Sequence, residues 1–237
     1  MVLSWMKIND YDKRLVLLTK ERGKLAAFVK GALKPRSQYV ASTQPFAFGE
    51  FMLYEGKNSN TITSIHIQDY FSELSEDLED AYMGMYFCEF MTYITLENAD
   101  EREQLKLLYC GLKALMRKKI PRNLIRYIFE YKALTNMGVA PLCFECTECR
   151  KEEVKYYLPT NSGMYCKTCG SLKKNCRTLN DSTVYALQFI AATSPEKLFS
   201  FLVNEEVEFE LRYVTRCEIQ KNIDGKFKTL EVMEGLR

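Results

Sequence analysis

Short apolar runs divided by polar turns fill the first seventy residues. Val2–Ile8, Leu15–Thr19, Leu25–Val29, the aromatic-rich Phe46–Tyr54 and Thr61–Ile67 each have strand length and are bounded by turn-forming residues. Gly23, inside Lys20-Glu-Arg-Gly-Lys24, suits the positive φ of a tight hairpin. Glu55-Gly-Lys-Asn-Ser-Asn60 reads as the turn between the last two strands. Five short strands in so short a span predict a small closed barrel, because closure removes exposed edges.

Around Phe71 the period of the pattern changes from two to that of a helix. Glu76, Asp77, Glu79 and Asp80 supply an acidic first turn. Tyr82, Tyr86, Phe90 and Tyr93 follow at helical spacing, flanked by Met83, Phe87, Met91 and Ile94. An apolar surface that wide predicts a buried helix, with the aromatics packed in a core rather than displayed. Asp100 with Glu103 has the spacing of a capping box for a second helix, striped by Leu105, Leu108, Leu112 and Leu115. Pro121 opens a third, with Leu124, Ile125, Ile128 and Phe129 on its apolar face and Gly138 as its C-cap. Further helices are predicted over Asp181–Ala192, from Pro195, and over Val207–Cys217. The fold class is therefore α+β: an N-terminal β-barrel of the oligonucleotide-binding (OB) type over 1–75, helices over 76–139, a cysteine-rich module over 140–178 and helices again over 179–237.

Four cysteines give that module its chemistry. Cys146-Thr-Glu-Cys149 and Cys166-Lys-Thr-Cys169 form a Cys-x2-Cys-x16-Cys-x2-Cys array, a spacing at which two tight turns bring four thiolates onto one tetrahedral zinc ion. Four protein thiolates leave no open coordination position, so the Zn2+ expected here, one per chain, is structural. Cys143 lies three residues before Cys146 and offers an alternative first pair. Pro141-Leu-Cys143 reads as the apolar end of the preceding turn and favours Cys146 with Cys149. Cys176 fits no paired turn. Cys88, Cys110 and Cys217 read as buried or half-buried thiols. Nine cysteines with no secretion-signal pattern point to a reducing, cytoplasmic compartment.

The net charge of +2 conceals strong segregation. Residues 1–40 carry nine Lys/Arg against three Asp/Glu, and residues 41–110 three against thirteen. Residues 111–180 carry fourteen against five, and residues 181–237 seven against ten. Two basic blocks alternating with acidic ones suggest surfaces for a polyanion. The N-terminal block, Lys13, Arg14, Lys20, Arg22, Lys24, Lys30, Lys34 and Arg36, falls around predicted turns and is the expected DNA-binding set. Tyr11 and Tyr39 are interleaved with it and suited to stacking, whereas Phe28 reads as core. A second set, Arg117, Lys118, Lys119, Arg122, Arg126, Lys173, Lys174 and Arg177, extends that track or meets an acidic partner.

Catalysis is not expected. His66 is the one histidine, set in an Ile-rich strand, so it offers a single possible base for nucleophilic chemistry. There is no phosphate-cradling glycine loop, and the acidic residues, though plentiful, form no pattern that suggests a magnesium nuclease. No stretch reaches the length of a membrane span.

The run Leu17-Leu-Thr-Lys-Glu-Arg-Gly-Lys24, then Val29-Lys-Gly-Ala-Leu-Lys-Pro-Arg-Ser37 and Gln44-Pro-Phe46, resembles the N-terminal domain of the bacterial RecO family. Gly138-Val-Ala-Pro141 and the two Cys-x2-Cys pairs are similar to that family's zinc module, and Phe227-Lys-Thr-Leu230 to its C-terminal stretch. The resemblance implies a recombination mediator of DNA repair that binds single- and double-stranded DNA and anneals complementary strands. It implies RecR as a partner, help to RecA on DNA coated by single-strand-binding protein (SSB), and contact with the acidic C-terminal tail of SSB. It places DNA contact on Lys24, Lys30, Lys34 and Arg36. For the SSB tail, charge and neighbouring apolar residues suggest the Arg117–Arg126 region. The competing reading is a zinc-ribbon protein that bridges other proteins in transcription or ribosome assembly.

Overall fold

The computed structural model of the chain describes residues 1–57 and 59–235. They group into two compact units, one of Met1–Met116 with the segment from Gly225 onward, the other of Arg117–Asp224. Among the described residues no helix is long and apolar enough to cross a membrane.

The first unit begins with five strands: β1 (Val2–Lys7), β2 (Lys13–Thr19), β3 (Gly23–Val29), β4 (Phe48–Glu55) and β5 (Asn60–Asp69). Asn58, in the predicted β4–β5 turn, lies outside the described residues. The strands pair in the order β1-β2-β3-β5-β4, antiparallel except for β3 with β5. Alternation makes one face of this sheet the core. Leu15 and Leu17 of β2 lie against Leu25, Ala27 and Val29 of β3 and Ile62 of β5, all buried. Each fully buried leucine there contributes about 1.5–3 kcal/mol of apolar transfer. Phe28, by the same alternation, is half-buried on the other face.

The sheet is not closed into a barrel, which corrects the closure expected from strand count. Its two ends meet only through Val2 among the bonds described: the Val2 N–H donates to the Ala47 carbonyl and the Phe46 N–H to the Val2 carbonyl, both at 3.0 Å. A bulge between Val2 and Ser4 then shifts the register of β1, so the rest of the strand makes no ladder with β4 and both remain edges. The long β3–β4 connection, residues 30–47, is irregular and turn-rich.

Helix α1 (Leu78–Ile94) starts where the acidic run predicts, with the Asp77 carboxylate accepting from the Glu79 and Asp80 N–H groups. Its Tyr86 and Phe90 are fully buried, Tyr82 is half-buried and Tyr93 exposed, so the aromatic row is core only at its centre. Phe227, arriving from the far end of the chain, stacks on Tyr86, Phe90 and Tyr93 with ring centroids 5.2–5.5 Å apart. Helix α2 (Arg102–Arg117) has only half of the expected capping box. Asp100 accepts from the Arg102 N–H at 3.1 Å, while Glu103 turns to Lys106.

In the second unit, helix α3 (Arg122–Asn136) follows Pro121 and ends at Gly138, whose φ is +74°. A small sheet of β6 (Tyr156–Leu158), β7 (Gly163–Tyr165) and β8 (Arg177–Thr178) surrounds the one-turn helix α4 (Lys167–Gly170). The remaining helices of the unit are α5 (Asp181–Ala192), α6 (Pro195–Leu198) and α7 (Glu205–Asn222). Helix α7 extends past both ends of its predicted span: Asn204 caps the start, accepting from the Val207 N–H, and the last turn closes with the Ile223 N–H on the Ile219 carbonyl. Helix α8 (Lys228–Gly235) belongs with the first unit; Glu89 of α1 accepts from its Lys228 and Thr229 N–H groups at 3.1 and 3.0 Å.

Gly23 and Gly31 both have positive φ, +60° and +70°, but only at Gly23 would a Cβ collide with backbone, 2.1 Å from the Leu96 carbonyl oxygen. At Gly31 the nearest atom is the flexible Lys34 side chain at 3.4 Å. We expect Gly31→Ala to cost about 1 kcal/mol and Gly23→Ala about 3 kcal/mol. Urea unfolding of the two variants measures the difference; equal losses refute the collision.

Candidate functional site

The four predicted thiols converge. The Sγ atoms of Cys146, Cys149, Cys166 and Cys169 all lie within 4.8 Å of one another. Local turns make each pair. Arg150, at φ 63°, lets its N–H return to the Cys146 carbonyl at 2.9 Å, and the first turn of α4 brings the Gly170 N–H to the Cys166 carbonyl at 2.8 Å. A clamp then joins the pairs: the Thr147 N–H donates to the Met164 carbonyl at 2.8 Å, and the Met164 N–H to the Thr147 hydroxyl at 3.2 Å.

The geometry fits a metal ion rather than a disulfide. Cys149 Sγ and Cys166 Sγ are 3.6 Å apart, against roughly 2.05 Å for a sulfur–sulfur bond. Thiolates at about 2.3 Å from a tetrahedral ion stand about 3.8 Å apart. Burial pushes the Cys146 thiol up, but N–H groups of Cys149, Cys166 and Glu148 outweigh it and hold the pKa at about 6. Burial and the neighbouring sulfurs push Cys169 up to about 12. Without an ion, four sulfurs so close cannot all ionise. Cys143 is outside this cluster: it is buried, and that burial pushes its pKa up. The first pair is therefore Cys146 with Cys149. Helix α7 steadies the module from one side, where the fully buried Glu218 accepts from the Tyr157 hydroxyl at 2.5 Å and from the Ser162 hydroxyl.

The N-terminal basic residues fall into distinct environments. Lys30, Lys34 and Arg36 are exposed on the 30–47 segment, and Lys20 is exposed beside Glu21. Arg14 is half-buried and reaches Met6; Arg22 pairs with Glu55; Lys24 donates to the Thr92 carbonyl at 2.6 Å. Lys13 corrects the sequence reading. It is 1% exposed, its ammonium donates to Thr43 Oγ1 at 2.9 Å and lies 4.0 Å from the Trp5 ring centroid, so it cannot face a ligand in solution. The alternation of β2 carries the signal, since Lys13 shares a face with Leu15 and Leu17. Burial lowers its pKa. Tyr39 packs partly against the core, whereas Tyr11 is half exposed with Lys34 5.9 Å from its ring.

Residues unmarked by the sequence reading also shape this region. The Asp12 carboxylate accepts from the Gly31 N–H at 2.7 Å and from the Asn9 amide. These donors, Gly31 first, lower its pKa, as do Lys30 and Lys34 nearby. Trp5 donates its indole N–H to Gln44 at 3.1 Å.

The second basic set is partly engaged within its own unit. Arg126 is paired with Glu130 at 2.7 Å, Lys173 with Glu148 at 2.9 Å, and Arg177 lies over the rings of Tyr213 and Phe209. Arg117, Lys118, Lys119 and Lys174 are exposed and Arg122 half-buried. His66 is exposed on β5, across from Glu50 of β4.

Fold and site together define an α+β protein with a basic N-terminal sheet and, in its helical part, a four-thiolate module. Its first 71 residues match the N-terminal profile described as recombination protein O N terminal, and residues 75–231 the profile recombination protein O C terminal. The chain belongs to the recombination protein O (RecO) family. It is 27% identical to a protein named DNA repair protein RecO of Acetivibrio thermocellus, over 99% of this chain and 94% of that protein. It is 30% identical to one so named of Clostridium perfringens, over 98% and 96%, and 29% identical to that of Clostridium novyi, over 98% and 92%.

We expect serine at any of Cys146, Cys149, Cys166 or Cys169 to abolish stoichiometric metal and loosen residues 146–178, because metal binding and folding are one equilibrium in such modules. Cys143→Ser and Cys176→Ser should keep full metal content. Elemental analysis of the purified variants decides; metal loss in Cys143→Ser would contradict the ligand set.

Proposed function

We propose that the chain is a DNA repair and recombination mediator. In this reading it binds single- and double-stranded DNA and anneals complementary strands. With RecR it helps load RecA onto DNA coated by SSB, whose acidic tail it contacts. Family membership and the names of its relatives support the repair role. The observation that carries the DNA reading is the exposure of Lys30, Lys34 and Arg36 on one segment whose backbone is tied to the sheet. Cations held at fixed spacing neutralise phosphates and release counterions, giving sequence-independent, salt-sensitive binding. Phosphates so neutralised on two strands repel one another less, which favours annealing without any bond chemistry.

The metal of the four-thiolate cluster is, in this reading, Zn2+. Zinc suits an all-thiolate tetrahedral set, and with every position filled its contribution is folding energy for residues 146–178.

Reversing charge at Lys30, Lys34 and Arg36 together should weaken oligonucleotide binding and flatten its salt dependence by about 0.7 for each phosphate no longer neutralised, with the thermal midpoint retained. Fluorescence polarisation across a salt series, beside an annealing assay with complementary oligonucleotides, measures both. Wild-type affinity and slope in the triple variant would remove DNA from this segment. A wild-type chain that neither anneals nor retains single strands would favour a protein-bridging role.

A further inference from the structure

A buried lysine is costly, because its ammonium gives up water and must be repaid by specific contacts. Lys13 is 1% exposed, makes no ion pair among the described residues, and spends its charge on Thr43 Oγ1 at 2.9 Å and the Trp5 ring at 4.0 Å. An apolar residue on that core face would satisfy the packing of β2 alone. The charge therefore serves what it touches: Thr43 of the 30–47 segment, and Trp5, itself tied to that segment through Gln44.

That segment is fastened at both ends by three consecutive residues. At its start, the Leu33 N–H donates to the Tyr11 carbonyl at 2.8 Å and the Gly31 N–H to the Asp12 carboxylate at 2.7 Å. Near its end, Lys13 holds Thr43, whose hydroxyl donates in turn to the Tyr39 carbonyl at 2.6 Å. Trp5 lies over the ammonium and ties its indole N–H to Gln44 at 3.1 Å. Lys30 adjoins the first fastening, and between the two stand Lys34 and Arg36, the last in the left-handed region at φ 61°.

We propose that Lys13, acting through Thr43 and together with Asp12, is a positioning residue for the basic segment. It fixes the spacing of Lys30, Lys34 and Arg36 for a phosphate backbone without touching that backbone. The inference rests on the nucleic-acid reading above and adds to it which residues preorganise the contact. Preorganisation raises affinity by removing the ordering cost from the binding step.

Two variants of the full chain test this: Lys13→Met, which keeps length and loses the ammonium, and Thr43→Val, which keeps shape and loses the acceptor. Binding of a labelled oligothymidylate is measured across a salt series, beside Lys34→Ala. Hydrogen exchange at the Gly31, Leu33 and Thr43 amides is followed without DNA. Both variants should lose roughly tenfold in affinity, about 1.4 kcal/mol, with the wild-type salt slope intact and faster exchange at those amides. Lys34→Ala should lower the slope by about 0.7.

A slope lowered by Lys13→Met as by Lys34→Ala overturns the proposal, since Lys13 would then neutralise phosphate itself. Unchanged affinity in both variants also overturns it, whatever their thermal midpoints. If Lys13→Met does not fold, Thr43→Val alone decides by the same criteria. A wild-type chain that does not retain the oligonucleotide sinks the nucleic-acid reading, and this inference with it; wild-type binding with unaltered variants sinks only the inference.

Discussion

Backbone that leaves regular structure must find hydrogen-bond partners elsewhere, and this requirement organises both sites of the chain. The 30–47 segment has no ladder of its own. Its amides are satisfied by turns and by the Asp12 carboxylate and Tyr11 carbonyl, which set where its lysines stand. The cysteine module, with only short strands, leans on the Thr147–Met164 clamp and on buried Glu218. In each case a few polar contacts shape a stretch too small to bury a core of its own.

Charge is subject to the same logic. The two basic blocks look alike by count, yet geometry separates cations that are engaged from those facing solvent. Arg126, Lys173 and Arg177 have partners inside the second unit, and Lys13 has been taken into the first. Lys30, Lys34 and Arg36 stay exposed because the segment bearing them is held down by its backbone, by the Asp12 carboxylate and by Lys13, not by their own charges. Surface ion pairs such as Lys20 with Glu21 contribute little to stability, on the order of 0–1 kcal/mol. Their loss in exchange for a phosphate costs correspondingly little.

Much of this was legible beforehand where the signal is local. The acidic run before α1, Pro121, Gly138 and the spacing of the four cysteines each act within a few residues of themselves, and each led to the right element. Where an outcome depends on a distant partner, the reading failed. Barrel closure turns on a bulge after Val2 and on how β1 meets residues 46–47. The half-used capping box at Asp100 is a local exception, because Lys106, one turn on, competes for Glu103. Strand β8 exists only because β6 offers its Arg177–Thr178 segment an edge.

The sequence by itself determined the α+β class, the starts of α1 and α3, the spacing of the four thiols and the family, because periodicity, caps and short motifs are properties of contiguous residues. Tertiary structure alone decided that Cys143 stays outside the thiol cluster and that the sheet remains open. The alternation of β2 already puts Lys13 on the face of Leu15 and Leu17, and the tertiary structure decided what closes over it while Lys30, Lys34 and Arg36 meet solvent. Those outcomes depend on which surfaces close over a residue, and the ammonium of Lys13 finds its acceptor in Thr43, thirty residues along the chain.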